Sequence, residues 1–313
     1  MKKLTITMPC LNENTEPIET IRSIYATAPK EEIDIIVIDD CSDEPLDLSE
    51  FPEVKLVRNP QRIGAGASKH YGAMLAETPC IMILDAHMRF RRDQWMEKIL
   101  KCVELEPKTA WCTTSVGLSK DSMDMDEAKG KYYGANMLLI NKAATSKRPS
   151  REILEPKWAP KKEEAEYEIP CILGANYAFS REWFRYIKGM SGLKMWGTEE
   201  PFVSMKTWMA GGKCKIKTDI EIGHKFRSNA PYRTKISYLV YNKIFLCKTI
   251  LPLEIGEKLI AHMPRGSSFS EAMVDAEKNE QIIKEDREYY QSIFDKGGFS
   301  IYDYCNKFNI RLP

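Results

Sequence analysis

Four short apolar runs, at residues 4–8, 33–38, 54–57 and 80–84, are interleaved with or followed by helical patterns at about 17–27, 66–77 and 92–104. Continuous aliphatic runs of this length read as strands buried on both faces. Strands separated by helices pair in parallel, because a crossover is needed to bring the chain back to the same end of a sheet. The expected class is therefore α/β: a Rossmann-like, mostly parallel central sheet flanked by helices. Strand-like runs at 110–116, 132–140, 171–179 and 213–222 extend it, and residues 229–313 read as a helical C-terminal extension. The charged stretch 142–168, carrying Pro149, Pro156 and Pro160, reads as a surface loop.

Open parallel sheets gather ligands at the carboxyl ends of their strands, so the residues there matter most. The run 80–84 ends on Asp85-Ala86-His87. Positions i and i+2 of an extended chain point the same way, so one oxygen and one nitrogen can converge on a divalent ion. The alternative is an Asp capping the next helix beside a packed His. The first run delivers Pro9-Cys10-Leu11-Asn12-Glu13, and the second ends on Asp39-Asp40, whose carboxylates could accept hydrogen bonds from a base or ribose. Arg62-Ile63-Gly64-Ala65-Gly66-Ala67-Ser68-Lys69 opens a helix whose N–H groups could face phosphates, or whose glycines serve only tight packing. It is neither a Walker A sequence nor G-x-G-x-x-G, which removes the main support for an ATPase or a dehydrogenase.

The nine cysteines are odd in number and lack C-x-x-C pairs, which fits reduced thiols rather than a disulfide framework or a zinc ribbon. No apolar run approaches the ~18 residues of a membrane span, and the N-terminal apolar stretch is too short for a signal peptide. A cytoplasmic protein without an anchor is expected. The net charge of +1 hides segregation: residues 142–162 hold seven basic against two acidic side chains, 206–248 hold ten basic against two acidic, and 271–295 hold eight acidic against three basic. Such asymmetry points to a polyanionic partner.

Pro9-Cys10-Leu11-Asn12-Glu13, Ile38-Asp39-Asp40-Cys41-Ser42, Arg62 with Gly64, and Leu84-Asp85-Ala86-His87 together resemble the nucleotide-sugar half of family 2 glycosyltransferases, which have the GT-A fold. Trp196-Gly197-Thr198-Glu199-Glu200, Trp208-Met209-Ala210-Gly211-Gly212 and Gly223-His224-Lys225-Phe226-Arg227 are similar to the acceptor half of polypeptide N-acetylgalactosaminyltransferases, with their W-G-G-E, W-x-x-G-G and G-H-x-F-R in that order. The resemblance implies a GT-A domain over residues 1–228, with a nucleotide-sugar half to about 115 and an acceptor half from 116, followed by the extension.

It also implies that Asp85, His87 and His224 ligate a divalent cation, manganese or magnesium, that holds the diphosphate of a UDP-sugar. Donor contacts fall on Pro9, Leu11, Asn12, Glu13, Asp39, Asp40, Arg62, Gly64, Lys69, Asp85, Ala86, Trp196 and Arg227. Acceptor contacts fall on Asn176, Trp196 and Glu199. A mixed oxygen and imidazole set with open positions suits an octahedral ion that also takes phosphate oxygens. Glu199 matches the glutamate of W-G-G-E, and Glu200 after it could act as the general base; alternatively both only stabilise a helix N-terminus. Asn176 could bind a sugar hydroxyl or satisfy strand-end backbone, while Trp196 and Trp208 could be shelf or core residues. The anomeric outcome stays open.

Family members acting on secretory proteins carry an anchor, a stem and a lectin domain that this sequence does not display. The expected acceptor is therefore a hydroxyl in a cytoplasm. The basic segments favour a polyanion, best a 5-hydroxymethylated pyrimidine of DNA such as that of some bacteriophages, flipped out of its duplex. Transfer to cell-surface glycan or protein hydroxyls is the alternative enzyme reading. A reading of another class is a noncatalytic nucleotide-sugar or nucleic-acid binding protein.

Overall fold

The computed structural model describes residues 1–120, 124–140, 153–174, 176–227 and 233–313. Its strands are β1 (Leu4–Cys10), β2 (Ile33–Asp39), β3 (Lys55–Arg58), β4 (Cys80–Leu84), β5 (Met88–Phe90), β6 (Thr109–Gly117), β7 (Lys131–Tyr132), β8 (Ala135–Ile140), β9 (Ile153–Trp158), β10 (Glu166–Glu168), β11 (Asn176–Ser180) and β12 (Lys213–His224). The α-helices are α1 (Glu16–Thr27), α2 (Ala65–Met74), α3 (Trp95–Leu105), α4 (Arg181–Tyr186), α5 (Glu199–Met209), α6 (Ile236–Ile250), α7 (Leu253–Ala261), α8 (Ser267–Lys278), α9 (Glu280–Gly297) and α10 (Ile301–Lys307).

The central sheet runs β10-β12-β6-β11-β4-β1-β2-β3, with β5 paired to β12 and β7 to β6. Strands β3, β2, β1 and β4 are parallel, as their continuous apolar runs require. Past β4 the sheet becomes mixed: β11 enters antiparallel between β4 and β6, and β12 then lies parallel to β6. Among the described residues no α-helix lies between β6 and β11, and an antiparallel entry needs no helical crossover.

Side chains alternate as the strand period demands. Met82 and Leu84 join Leu4, Ile6 and Met8 in a core with Ile21, Ile24 and Trp95, under α1 and α3. Ile81 and Ile83 face the other way, into a core shared with Phe179, Phe202, Tyr241, Phe245 and Tyr290. Helices α6 to α9 thus pack onto α5 through the same apolar cluster that underlies the sheet.

The expected loop at 142–168 is corrected in part. Strand β9 pairs antiparallel with β8, from Ala135 opposite Trp158 to Ile140 opposite Ile153, and β10 pairs with β12. Pro156 and the flanking charges concealed β9; it is a strand of a small two-stranded sheet, where a missing N–H is tolerated. Lys142, Lys147, Arg148 and Arg151 of the basic segment lie outside the described residues.

The second basic segment is largely neutralised. Lys213, Lys215, Lys217, Lys225 and Arg227 pair with carboxylates, and Lys206 and Lys243 are buried. All nine cysteines are free. No described helix is long and apolar enough to cross a membrane.

Candidate active site

The carboxyl ends of β1 and β4, the start of α2 and the start of α5 surround a cavity of about 420 Å³. Asp85 follows β4 directly, and the turn after it is fixed from α1. The buried Thr20 hydroxyl bonds the carbonyls of Ala86 (2.8 Å) and Met88 (3.1 Å) and lies 2.9 Å from the Met88 N–H. Pairing of β5 with β12 sets Met88 opposite His224 and brings that imidazole beside His87. Asp85, His87 and His224 then offer three ligand atoms all within 4.8 Å of one another. The two Nε2 atoms are 3.2 Å apart, and His224 Nε2 is 3.6 Å from Asp85 Oδ2.

This donor set fits a divalent cation. Burial works against the ionised form of Asp85, but the Lys69 ammonium 3.1 Å away and both imidazoles hold its carboxyl well below the usual range. Burial also keeps the His224 imidazole below its ordinary value in spite of Asp85, which favours the neutral ligand form. His224 Nδ1 is buried without a hydrogen-bond partner among the described residues. His87 Nδ1 lies 3.2 Å from Glu13 Oε2, and Glu13 is doubly bonded by Arg227. A carboxylate accepting from Nδ1–H leaves Nε2 as the lone-pair nitrogen, aimed at Asp85 and His224. Burial opposes the charge of Glu13, but His87 and Arg227 together lower its pKa.

Lys69, buried on α2, bridges Asp85 and the Glu200 carboxylate, which is 4.0 Å away. Glu199 and Glu200 begin α5 but differ in employment. Glu199 is 3 % exposed and its oxygens accept the Gly197 N–H at 2.9 and 2.8 Å, bracing the loop that leads into the helix. Both carboxylates line the cavity. Burial raises both carboxyls, with Lys69 opposing, and each lies above the usual carboxylate range.

Of the other expected donor residues, Pro9, Leu11, Glu13, Asp40, Arg62, Ala86 and Trp196 line the cavity. Asp40 also organises it: its oxygens accept from the N–H groups of Ile63 (2.8 Å) and Gly64 (2.7 Å) and from Asn59 (2.9 Å). Gly64 has φ +92, and a Cβ there would sit 2.0 Å from the Met195 Cα, so the glycine is needed for close approach of the two loops. Three expected contact residues have partners within the protein. Asp39 lies outside the cavity wall, its oxygens taken by the Ser42 N–H and Arg58. Asn12 is tied to Asp43 by two hydrogen bonds. Asn176 is 1 % exposed, with its amide spent on Thr113 and Ser115, so it braces β11 against β6 and does not reach an acceptor. Arg227 stands behind the metal cluster on Glu13, and Trp208 is core, its indole N–H donating to Ile169 O.

Sequence reasoning missed part of the wall. Leu154, Glu155, Pro156 and Trp158 of β9, and Leu239 and Lys243 of α6, also line the cavity. Trp158 and Trp196 are both more than a third exposed, giving two aromatic surfaces at the opening.

The glycosyl transferase family 2 model matches residues 5–188, over half of the chain. The chain belongs to glycosyl transferase family 2. Human polypeptide N-acetylgalactosaminyltransferase 14 (Homo sapiens) is 29% identical to this family 2 chain over 222 residues, covering 69% of this chain and 39% of that protein. The crystal structure of GalNAc-T7 with UDP, GalNAc and Mn2+ superposes with a TM-score of 0.69 at 17% identity, covering 99% of this chain and 59% of that one. S. aureus TarS 1–349 in complex with UDP-GlcNAc gives 0.52 at 12% identity, covering 93% and 73%. The fold is thus GT-A, including the antiparallel β11. The chain spans less than half the length of these curated relatives.

Proposed function

We propose that this protein is a metal-dependent glycosyltransferase that moves a sugar from a UDP-sugar to an acceptor hydroxyl. The convergence of Asp85, His87 and His224, the first two of which line the cavity, carries the reading. Asp85, His87 and His224 would hold a divalent cation, which would supply Lewis-acid charge for a departing diphosphate. The protein's own groups supply the rest. Pro9, Leu11 and Arg62 line the side of the cavity suited to a nucleotide, and Lys69 carries fixed positive charge between Asp85 and Glu200. Glu200, its pKa raised by burial, is the group placed to take the acceptor hydroxyl's proton on a carboxylate oxygen. Glu199 also lines the cavity and braces the loop through the Gly197 N–H.

The UDP and GalNAc of one neighbouring structure and the UDP-GlcNAc of another make UDP-N-acetylhexosamines the donors to test first. Trp158 and Trp196 suit an acceptor that offers a flat or apolar face beside its hydroxyl. A DNA acceptor rested on charge segregation, and the ion pairing of the 206–248 segment removes much of that reason; a glycan or protein hydroxyl is the reading we favour. Nine free cysteines agree with a reducing compartment.

The test is UDP release and sugar transfer with Mn2+ and a panel of UDP-sugars, offering glycan, peptide and hydroxymethylcytosine DNA acceptors. Metal-dependent transfer to a glycan or peptide supports the proposal. Transfer to DNA alone would return the acceptor to the polyanion reading, and absence of UDP release from every donor would contradict catalysis.

A further inference from the structure

The loop 193–199, which carries Trp196 and leads into Glu199 and Glu200, is held in an uncommon backbone conformation. Met195 (φ 53), Gly197 (φ 104) and Thr198 (φ 76) all have positive φ. Such stretches persist only where their surroundings over-determine them, and they cluster at functional sites. Part of the restraint comes from the nucleotide side: Met195 N–H donates to Ile63 O (3.2 Å), and Gly66 N–H donates to Met195 O (3.0 Å).

The remainder comes from the C-terminal extension. Asn242 on α6 is fully buried and spends its whole amide on this loop. Its Oδ1 accepts the Lys194 N–H at 2.8 Å, and its Nδ2 donates to the carbonyls of Lys194 and Gly197, each at 2.8 Å. Leu239 lies three residues before Asn242 and four before Lys243, so it neighbours each of them along the helix. A Cβ on Gly197 would meet Leu239 Cδ1 at 2.4 Å, and Lys243 Nζ donates to Ile153 O at the base of β9. One face of α6 therefore touches the Trp196 loop and the β9 wall together, on both sides of the cavity opening.

We propose that Asn242 is a positioning residue for catalysis: it fixes the Trp196 loop in the cavity wall, which makes the extension a working part of the active centre. An asparagine there can match one N–H and two carbonyls at once, which no apolar residue can do. The inference rests on the glycosyltransferase reading and adds a residue that is neither one of the proposed metal ligands nor the base candidate.

The experiment compares wild type with Asn242→Asp, which keeps size and the acceptor but presents a carboxylate to two carbonyls, and with Asn242→Ala. Three readouts are taken: turnover of UDP-GlcNAc and UDP-GalNAc with Mn2+, affinity for Mn2+ plus UDP by calorimetry, and hydrogen exchange of residues 193–199. The expected result is a fall in kcat of about 10- to 100-fold, the scale of misplacing a group by an ångström. Mn2+–UDP affinity should be unchanged, with faster exchange confined to the loop. Unchanged turnover in both variants would overturn the proposal. So would a parallel loss of Mn2+–UDP affinity and of protection throughout α6 and α9, which marks a merely structural role. Wild type that binds Mn2+–UDP yet turns over no donor would remove the transferase reading, and this proposal with it.

Discussion

Replacing Glu13 by glutamine tests the metal cluster without touching a ligand. The carboxylate is 7 % exposed and does two things at once: Oε2 lies 3.2 Å from His87 Nδ1, and Oε1 accepts from Arg227 Nη1 at 3.0 Å. Glutamine preserves volume but brings an NH2 group that must face either the imidazole N–H or the guanidinium, both donors. The orientation of His87 is then no longer enforced. Loss of such an outer partner typically costs about 10- to 100-fold in metal affinity, or about 1.4–2.7 kcal/mol. The Arg227 side chain keeps 21% exposure and glutamine can still accept one of its hydrogen bonds, so the fold should lose about 1–3 kcal/mol, less than the full loss of a buried pair. Titration of free Mn2+ by electron paramagnetic resonance, beside a thermal melt, reads both numbers. Wild-type Mn2+ affinity in Glu13→Gln would refute the tautomer-setting role; a collapse of the melt would mean that Glu13 acts on the fold instead.

Other outcomes follow from the same geometry. Burial holds the His70 imidazole down at about 4, with the Lys206 charge adding to it, and Nδ1 accepts the Met190 N–H. The folded value lies below the unfolded one, so this contribution is fully present above about pH 6.5 and is lost as pH falls toward 4, by about 2–3 kcal/mol. Urea melts should show that acid loss in wild type and not in His70→Asn, and parallel curves would contradict it. Gly64→Ala should cost about 1–3 kcal/mol through its positive φ and the contact with Met195, and a wild-type melt would argue against that close approach. Lys206, fully buried between Gly189 O and Tyr290, is pushed well below the ordinary lysine value by burial. Lys206→Met should be more stable than Lys206→Ala by about 2 kcal/mol, because methionine fills the space without the polar head; equal losses in urea would contradict this.

The strand ends were legible because buried parallel strands are unbroken apolar runs, so Asp85, Asp40 and Glu13 stood out as polar residues where such runs stop. Whether a strand-end polar group faces a ligand or the protein was not legible. Asp39 and Asp40 are neighbours of one type, yet Arg58 and Ser42 claim the first while the second shapes the Gly64 turn beside the cavity. Asn176 looked equally available and is consumed by Thr113 and Ser115, partners more than 60 residues away. His87 could be paired with Asp85 by spacing, but its contact with Glu13 spans 74 residues and needs the sheet to exist first. Strand β9 was hidden by a proline and charges, and the face of α6 that closes the site carries no local signal at all.

The most direct measurement is UDP binding by calorimetry with Mn2+, with excess chelator, and in Asp85→Asn and His224→Ala. The account predicts that UDP affinity falls sharply on chelation, and that both variants lose the Mn2+-dependent gain while keeping the wild-type melt. UDP binding that survives chelation undiminished, or a His224→Ala protein that still couples Mn2+ to UDP, would contradict it.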